Sequence, residues 1–241
     1  MSENAQSKNL LLASLDRKDY ALLRPHLTEI RLEQKTILQR PGAPITHAYF
    51  PFSGMISMLA TFRTGEAIEI AAIGREGAVG TRLGRLPEIA FAQAIVQLPG
   101  AAMRIGIERF REAARSSAGI TEIAACANEV MAINLKQSAA CNALHKLEAR
   151  LARWLLHSRD RNDDDRLPLS QEFLSEMLGV RRTTVTLAAH TLQNAGVISY
   201  RRGKVQITDR KGLEAIACDC YLMVKRNIEV VTAPHTSART V

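Results

Sequence analysis

A pair of helical segments punctuated by glycine, near the C-terminal end, constrains this chain more than any other feature. Ser170 is a favoured N-cap residue, and residues 171–178 carry apolar side chains at helical spacing until Gly179. Helical spacing resumes at Arg181 and continues to Gly196. Two short helices that meet across a tight glycine turn predict a helix-turn-helix.

A predicted β-hairpin follows the second helix directly. Two β-favouring segments, 197–200 and 205–208, flank the tip Arg-Arg-Gly-Lys at 201–204. The tip therefore places three cations beside a glycine. A basic hairpin next to a helix-turn-helix predicts a wing that contacts phosphate groups.

The positive charge of the chain is concentrated in the same region. The formal net charge is +8, yet residues 1–110 carry 13 Lys and Arg against 10 Asp and Glu. Residues 179–211 carry seven Lys and Arg against Asp209 alone. Such focusing is typical of a surface that binds double-stranded DNA. In the major groove, the start of the second helix would face base edges with Arg181, Arg182, Thr183 and Thr186.

Other classes of function have weaker support in the sequence. One alternative is an effector-binding protein whose helix-turn-helix serves protein–protein contacts, which the clustered charge disfavours. An enzyme would need a recognisable catalytic motif, and the sequence has no Gly-x-Ser-x-Gly elbow, phosphate loop or His-Glu-x-x-His pair. We therefore expect a chain that is not an enzyme.

The texture of the remaining sequence predicts an α+β protein. A helical lead-in over residues 10–27 is followed by short β-favouring runs with turns at Pro41-Gly42, residues 63–66 and residues 98–100, which indicates an antiparallel β-roll. Beyond Phe110 glycine and proline nearly vanish until Pro168, which indicates long helices. The predicted division is a sensor domain with its lead-in (1–110), connector and dimerisation helices (111–160), a winged helix-turn-helix domain with a C-terminal helix (161–230) and a flexible tail (231–241).

An apolar stripe in the connector is the candidate dimer interface. It is rich in small residues and comprises Ile123, Ala127, Val130, Ile133 and Asn134. The alternative is that this stripe packs on its own sheet, as most isolated amphipathic helices do. A winged domain reads only one half-site, so DNA binding favours a homodimer.

Cofactor chemistry finds little support in the sequence. The cysteines include no Cys-x-x-Cys pair, and Cys218-x-Cys220 on a helix would point its thiols to different faces, so neither a disulfide nor a zinc site is expected. The six histidines are scattered, so no haem is assigned and the expected cofactor and metal content is none. The N-terminus resembles no export signal and no apolar run approaches a membrane span, so we expect a cytoplasmic protein with no membrane partner.

The chain resembles the Crp/Fnr family of bacterial transcription regulators. The resemblance rests on Gly54-Met-Ile-Ser, on Gly74-Arg-Glu-Gly-Ala-Val-Gly80, and on the stretch from Leu169-Ser-Gln-Glu to Gly203. It implies a cyclic-nucleotide-binding-like β-roll, a long dimerisation helix and recognition of a two-fold-symmetric operator, with RNA polymerase as a further candidate partner. Arg182 matches the base-reading arginine of the family and Thr184 its phosphate-contacting threonine. The predicted DNA-binding set is Ser170, Gln171, Arg181, Arg182, Thr183, Thr184, Thr186, Arg201, Arg202 and Lys204.

Departures from the family pattern limit what the resemblance implies. In the recognition helix, Thr183 and Leu187 replace a glutamate and a second arginine of the cyclic-AMP-responsive members, so their operator is not expected here. In the roll, Gly80-Thr81 and Ala90-Phe91 stand where those members carry the Gly-Glu and Arg-Ser pairs that hold ribose and cyclic phosphate. Cyclic AMP is therefore disfavoured and the effector is unknown. The iron–sulphur members use N-terminal cysteines, whereas the first cysteine here is Cys126.

Overall fold

The computed structural model describes residues 8–84, 89–162 and 164–233. Its lead-in is helical: α1 (Leu10–Ala13), α2 (Arg17–Leu23) and a 3₁₀ turn (Arg24–His26). Asn9 caps α1, because its side-chain oxygen accepts hydrogen bonds from two backbone N–H groups of that helix. The amide of Asn9 also donates to the carbonyls of Pro51 and Gly77, which fixes the lead-in on the following domain.

An antiparallel β-roll follows, as the alternating runs and turns predict. Its strands are β1 (Thr28–Leu32), β2 (Ile37–Gln39), β3 (His47–Thr61), β4 (Ala67–Ile73) and β5 (Gln93–Gly106). They pair in the order β1-β5-β3-β4, and β2 also pairs with β5. The predicted turn over 63–66 joins β3 to β4, and the Phe62 N–H donates to the Glu66 carbonyl over 2.9 Å.

The turn predicted at residues 98–100 is wrong, because these residues lie inside the continuous strand β5. The neighbouring strand β3 accommodates them through register shifts around Ser53 and Met55. Gly100 lies so close to the backbone of Ser53 that a Cβ atom there would collide with it. The glycine therefore marks a close approach of two strands rather than a change of direction.

Long helices connect the roll to the C-terminal domain, as predicted. They are α3 (Ile107–Ser116), α4 (Ala118–Leu144) and α5 (Leu147–Asp160). Ser117 begins α4 by accepting a hydrogen bond from the Ile120 N–H over 3.0 Å. One face of α4 lies against the roll, where Ala127 joins the core around Phe50 and Val130 joins a second cluster with Ile73.

The stripe predicted as a dimer seam is this same covered face. Ile123, Ala127 and Val130 are at most 3% exposed, Asn134 is 7% exposed, and Ile133 is half-buried. The four apolar side chains join clusters with residues of the roll, and the Asn134 amide donates to the Val130 carbonyl. Packing on the chain's own sheet is the alternative that the sequence left open. A second copy would have to meet a different face of α4.

The C-terminal domain has the predicted winged helix-turn-helix order. Its elements are β6 (Arg166–Leu167), α6 (Gln171–Leu178), α7 (Arg182–Asn194), β7 (Ile198–Arg201), β8 (Lys204–Ile207), α8 (Arg210–Ile216) and α9 (Cys220–Thr232). The strands form a small antiparallel sheet in the order β6-β8-β7. Together with the roll and the long helices, this confirms the predicted α+β fold class.

Polar contacts hold the C-terminal half against the roll. The indole N–H of Trp154 in α5 donates to Glu69 of β4 over 2.9 Å, and burial raises the pKa of that carboxyl group. Arg161 forms a buried ion pair with Glu76 over 2.7 Å. Gly179 lies against Ile68 of β4. The connector and the helix-turn-helix are therefore docked on the β-roll.

The prediction that Cys218 and Cys220 lie on one helix is wrong. Cys218 lies in the link between α8 and α9, and of these two cysteines only Cys220 belongs to a helix. The two thiols are therefore not constrained to different faces of one helix.

The end of the chain is described only in part. Helix α9 runs to Thr232, and residues 234–241 of the predicted tail lie outside the described residues. Across residues 8–84, 89–162 and 164–233, each helix is too short or too polar to cross a membrane.

Candidate nucleic-acid interface

The turn between α6 and α7 is defined by local hydrogen bonds. The Ser170 hydroxyl accepts from the Phe173 N–H over 3.2 Å and so begins α6. Gly179 ends that helix with a φ of +64°, and the Val180 N–H reaches back to the Ser175 carbonyl over 3.1 Å. This left-handed cap redirects the chain within two residues, so that α7 starts at Arg182.

The start of α7 presents polar side chains to solvent. The buried face of the helix carries Val185, Ala188, Ala189 and Leu192. The residues Arg181 to Thr184 are all exposed, and Arg181 is an extended N-cap whose side chain makes no capping hydrogen bond. The start of α7 therefore exposes two guanidinium groups at a helix N-terminus, an arrangement suited to anionic ligands.

Thr186 is placed differently from the rest of the predicted reading set. It is half-buried, and its hydroxyl lies 3.0 Å from both the Gln171 side-chain oxygen and the Arg182 carbonyl. The contact with Gln171 joins the N-terminal ends of α6 and α7. In this geometry Thr186 positions the helix pair.

The predicted wing is a tight hairpin between β7 and β8. Arg201 pairs with Lys204, and the two tip residues Arg202 and Gly203 have φ values of +50° and +73°. Positive φ at both positions is the signature of a type I′ turn. Burial raises the pKa of Tyr200 to about 12, so its hydroxyl stays protonated and donates to the Leu169 carbonyl over 3.0 Å. This bond ties the wing to the residue before Ser170.

A groove of about 360 Å³ unites the helix pair and the wing. Its lining residues come from the α6 cap, the start of α7 and the hairpin: Ser170, Gln171, Arg182, Tyr200, Arg202 and Gly203. These residues supply two guanidinium groups, two hydroxyls and a carboxamide to one concave surface. Cations and hydrogen-bond donors on a concave surface can hold a phosphate backbone.

Leu187 is a surface feature that charge-based reasoning passes over. It lies one turn beyond Thr183 on α7 and is 68% exposed. An exposed leucine on an otherwise polar helix face can contact the methyl group of thymine. Leu187 therefore offers an apolar contact at this point of the surface rather than a hydrogen-bond donor.

The uncovered face of α4 also escaped the sequence analysis. Its exposed or half-buried residues follow alternating spacings of three and four: Ala125, Asn128, Ala132, Leu135, Ala139 and Asn142. This is heptad spacing, with small residues that permit close approach of two helices. The signal in the sequence was this heptad spacing, and the sequence analysis chose the more apolar stripe on the opposite face instead.

The roll contains a separate cavity of about 330 Å³ beside α4. Ala90 lies in its wall, and Thr81 in the same wall is buried. Arg82 is engaged by the protein, since its guanidinium stacks 4.8 Å from the Phe91 ring and donates to the Ile89 carbonyl over 2.8 Å. Asn128 and Leu135 of α4 are exposed and border one side of it, so an edge of the uncovered face adjoins this pocket.

The structure thus joins a β-roll through long helices to a winged helix-turn-helix. Residues 149–216 match the family model of the Crp-like helix-turn-helix domain. This segment therefore carries a Crp-like helix-turn-helix, as the motif from Leu169 to Gly203 predicts. Among curated proteins, none matches the sequence.

Solved structures extend the likeness to the whole fold. A Crp/Fnr-family transcriptional regulator from Eubacterium rectale is 18% identical with a TM-score of 0.66, over 86% of this chain and 96% of that one. FixK2 from Bradyrhizobium japonicum is 15% identical with a TM-score of 0.67, over 80% and 98% of the two chains. CLP, a c-di-GMP-responsive global regulator from Xanthomonas campestris, is 17% identical with a TM-score of 0.62, over 80% and 99%. The chain thus has the fold of a Crp/Fnr-type transcription regulator.

Proposed function

We propose that this chain is a sequence-specific DNA-binding regulator that binds a two-fold-symmetric operator as a homodimer. The observation that carries the proposal is the exposed start of α7 beside a wing tip with three cations. Arg182 and Thr183 would face base edges, while Arg202 and Lys204 would contact phosphates. One such domain covers one half-site, so two copies are needed for a full operator.

The second copy would meet the uncovered face of α4. Ala132 and Ala139 let two helix backbones approach closely, and Leu135 supplies an apolar contact between them. Asn128 and Asn142 would set the register of the pair, as single buried asparagines do in coiled coils. Self-complementary packing of one face on its copy gives the two-fold axis that a symmetric operator requires.

The sensor domain is proposed to work without cyclic AMP. Ala90 lies where the cyclic-AMP-responsive members carry the arginine that meets the cyclic phosphate, and its methyl group cannot pair with an anion. Titration calorimetry with millimolar cyclic AMP should therefore give no binding heat. Micromolar affinity would contradict this assignment of the cavity.

Selection from random duplex DNA with the full chain tests the main proposal. The expected product is a palindromic sequence with half-sites about one helical turn apart. Its affinity should fall linearly with salt on a log–log scale, because bound phosphates release counterions. If no duplex is retained even at low salt, the helix-turn-helix serves protein contacts instead and the proposal fails.

A further inference from the structure

Four side chains with metal-binding atoms converge where α4 ends and α9 begins. They are Cys141, His145, Cys218 and Cys220, and their ligand atoms all lie within 4.8 Å of one another. The Sγ atoms of Cys141 and Cys218 are 3.5 Å apart, and the Cys220 Sγ is 3.4 Å from the His145 Nδ1. Cys141 and Cys218 are 77 residues apart in sequence, so tertiary packing creates the cluster.

The spacing of these atoms suits a single tetrahedral ion. Zinc–sulphur bonds of about 2.3 Å and zinc–nitrogen bonds of about 2.0 Å place the ligand atoms of a tetrahedron roughly 3.5 to 3.8 Å apart. The Cys141–Cys218 and Cys220–His145 separations, 3.5 and 3.4 Å, are of this size. A disulfide would instead require its two sulphurs to approach to about 2.05 Å. The cluster is therefore closer to a mononuclear metal site than to a crosslink.

The donor set selects the kind of metal. Three thiols and one imidazole form the Cys₃His combination typical of structural zinc sites. Thiolates are soft ligands that disfavour magnesium and calcium, which prefer oxygen. Because four protein ligands close the coordination sphere, the ion would be structural rather than catalytic.

The surroundings of the cluster resemble an outer coordination shell. The side-chain amide of Gln137 donates to the Cys220 Sγ over 2.9 Å, the kind of contact that orients a metal ligand. Arg150 is buried directly after Ala149, which packs against the cysteines, and its positive charge would balance a site of three thiolates and one divalent ion. The cysteines are buried, whereas His145 is partly exposed and gives an ion a path of entry.

We propose that Cys141, His145, Cys218 and Cys220 bind one zinc ion that fastens the end of α4 to the link between α8 and α9. The ion would join the helix that carries the uncovered face to the domain that carries the recognition helix. Arg150 extends this connection, since it donates to the carbonyl of Leu178, the last residue of α6, over 2.6 Å. The proposal concerns metal binding and does not depend on DNA binding.

Metal content and cobalt spectroscopy of the reduced full-length protein test the proposal. Elemental analysis should find about one zinc per chain, and Co²⁺ added to metal-free protein should give the visible absorption of a tetrahedral thiolate site. The same spectrum should disappear when one equivalent of Zn²⁺ is added. These measurements on the unmodified chain do not depend on whether a variant folds.

Variants identify the ligands. Cys141→Ser and Cys220→Ser should each weaken zinc binding by at least about 100-fold, since loss of outer partners alone costs 10- to 100-fold. Cys126→Ser is the matched control, because Cys126 lies outside the cluster on α4, and it should retain wild-type affinity.

Several results would overturn the proposal. One is reduced protein that retains no zinc and gives only the weak spectrum of hydrated cobalt. Another is equal zinc affinity in Cys141→Ser, Cys220→Ser and Cys126→Ser. A third is a Cys141–Cys218 disulfide isolated from protein kept under reductant, which would make the cluster a thiol pair.

Discussion

The winged domain and the β-roll place their candidate binding residues differently. The winged domain exposes its cations to solvent, with Arg182 at the start of α7 and Lys204 beside the hairpin tip. The roll instead lines a pocket with buried residues such as Ala90 and Thr81, and α4 borders that pocket on one side. Exposed cations indicate a large anionic partner, whereas the pocket indicates only the size of a ligand that it can hold. The partner of the first region can thus be argued from residue types alone, and that of the second cannot.

The two regions meet through packing rather than through a flexible link. Trp154 reaches Glu69 of the roll, and the turn glycine Gly179 rests on Ile68. A change in the roll would therefore reach the recognition helix through contacts that have little room to adjust. Helix α4 belongs to both regions, since one face covers the roll and the other is free for a second copy.

The largest expected effect comes from a charge on that free face. Ala132→Glu would place two carboxylates at the centre of the proposed seam, and like charges in an interface cost several kcal/mol. The dimer dissociation constant should rise by at least about 100-fold. Sedimentation equilibrium measures this directly.

Ala140→Glu is the matched control for Ala132→Glu. Ala140 is exposed on α4, whereas Ala132 is half-buried, and Ala140 is not one of the heptad-spaced residues. Its substitution should leave the dimer intact. If both variants dimerise like the wild type, the seam lies elsewhere and α4 does not serve both regions.

Gly179→Ala tests how tightly the two regions are docked. Gly179 has a φ of +64°, and a Cβ there would lie 2.5 Å from the Ile68 Cδ1. In Gly196→Ala the φ is +76° with nothing within 4 Å of the new atom. Both substitutions cost about 1–2 kcal/mol of backbone strain, and only Gly179→Ala adds roughly 1–3 kcal/mol of overpacking.

Urea unfolding followed through Trp154, the single tryptophan of the chain, measures both glycine variants. Gly179→Ala should unfold at the lower urea concentration. Equal losses would show that the turn does not rest on the roll in solution, which would remove one of the contacts between the two regions.

Arg182→Ala tests whether the exposed start of α7 reads bases. A guanidinium can donate two hydrogen bonds to guanine, so its loss should lower specific affinity by about 1–3 kcal/mol and relax one position in each half-site. Arg182→Lys keeps the charge but loses the paired geometry, and should relax the same position. Selection from random DNA gives the preference, and a wild-type preference in Arg182→Ala would show that α7 is misplaced in the groove.

Local signals made much of the fold predictable. Ser170 and Gly179 mark the ends of α6 through capping chemistry that depends on neighbouring residues only. The type I′ tip at Arg202-Gly203 is equally local. The turn predicted at residues 98–100 failed because their conformation is set by the neighbouring strand, which the local sequence does not reveal.

The sequence does not reveal which face of a helix packs against the rest of the chain. Helix α4 has an apolar stripe through Ile123 and a second, small-residue stripe through Ala132, and only tertiary packing decides which one covers the roll. The cysteine cluster depends likewise on α9 lying against α4, which brings Cys220 beside His145. The hint available in the sequence was Cys141-x-x-x-His145 together with Cys218-x-Cys220.

The smallest expected effect, at Lys204, separates phosphate contact from base reading within the winged domain. Lys204 is exposed beside the hairpin tip, where an ammonium group would meet a phosphate that carries no base information. Lys204→Ala should weaken binding to every sequence similarly, and the log–log salt slope should become shallower by about 0.9 per lost contact. Lys18→Ala removes the same charge from α2, far along the chain from the wing, and should leave the slope unchanged. Two results would contradict a phosphate contact at Lys204. One is a salt slope that is unchanged in Lys204→Ala, and the other is a sequence preference that shifts at one position.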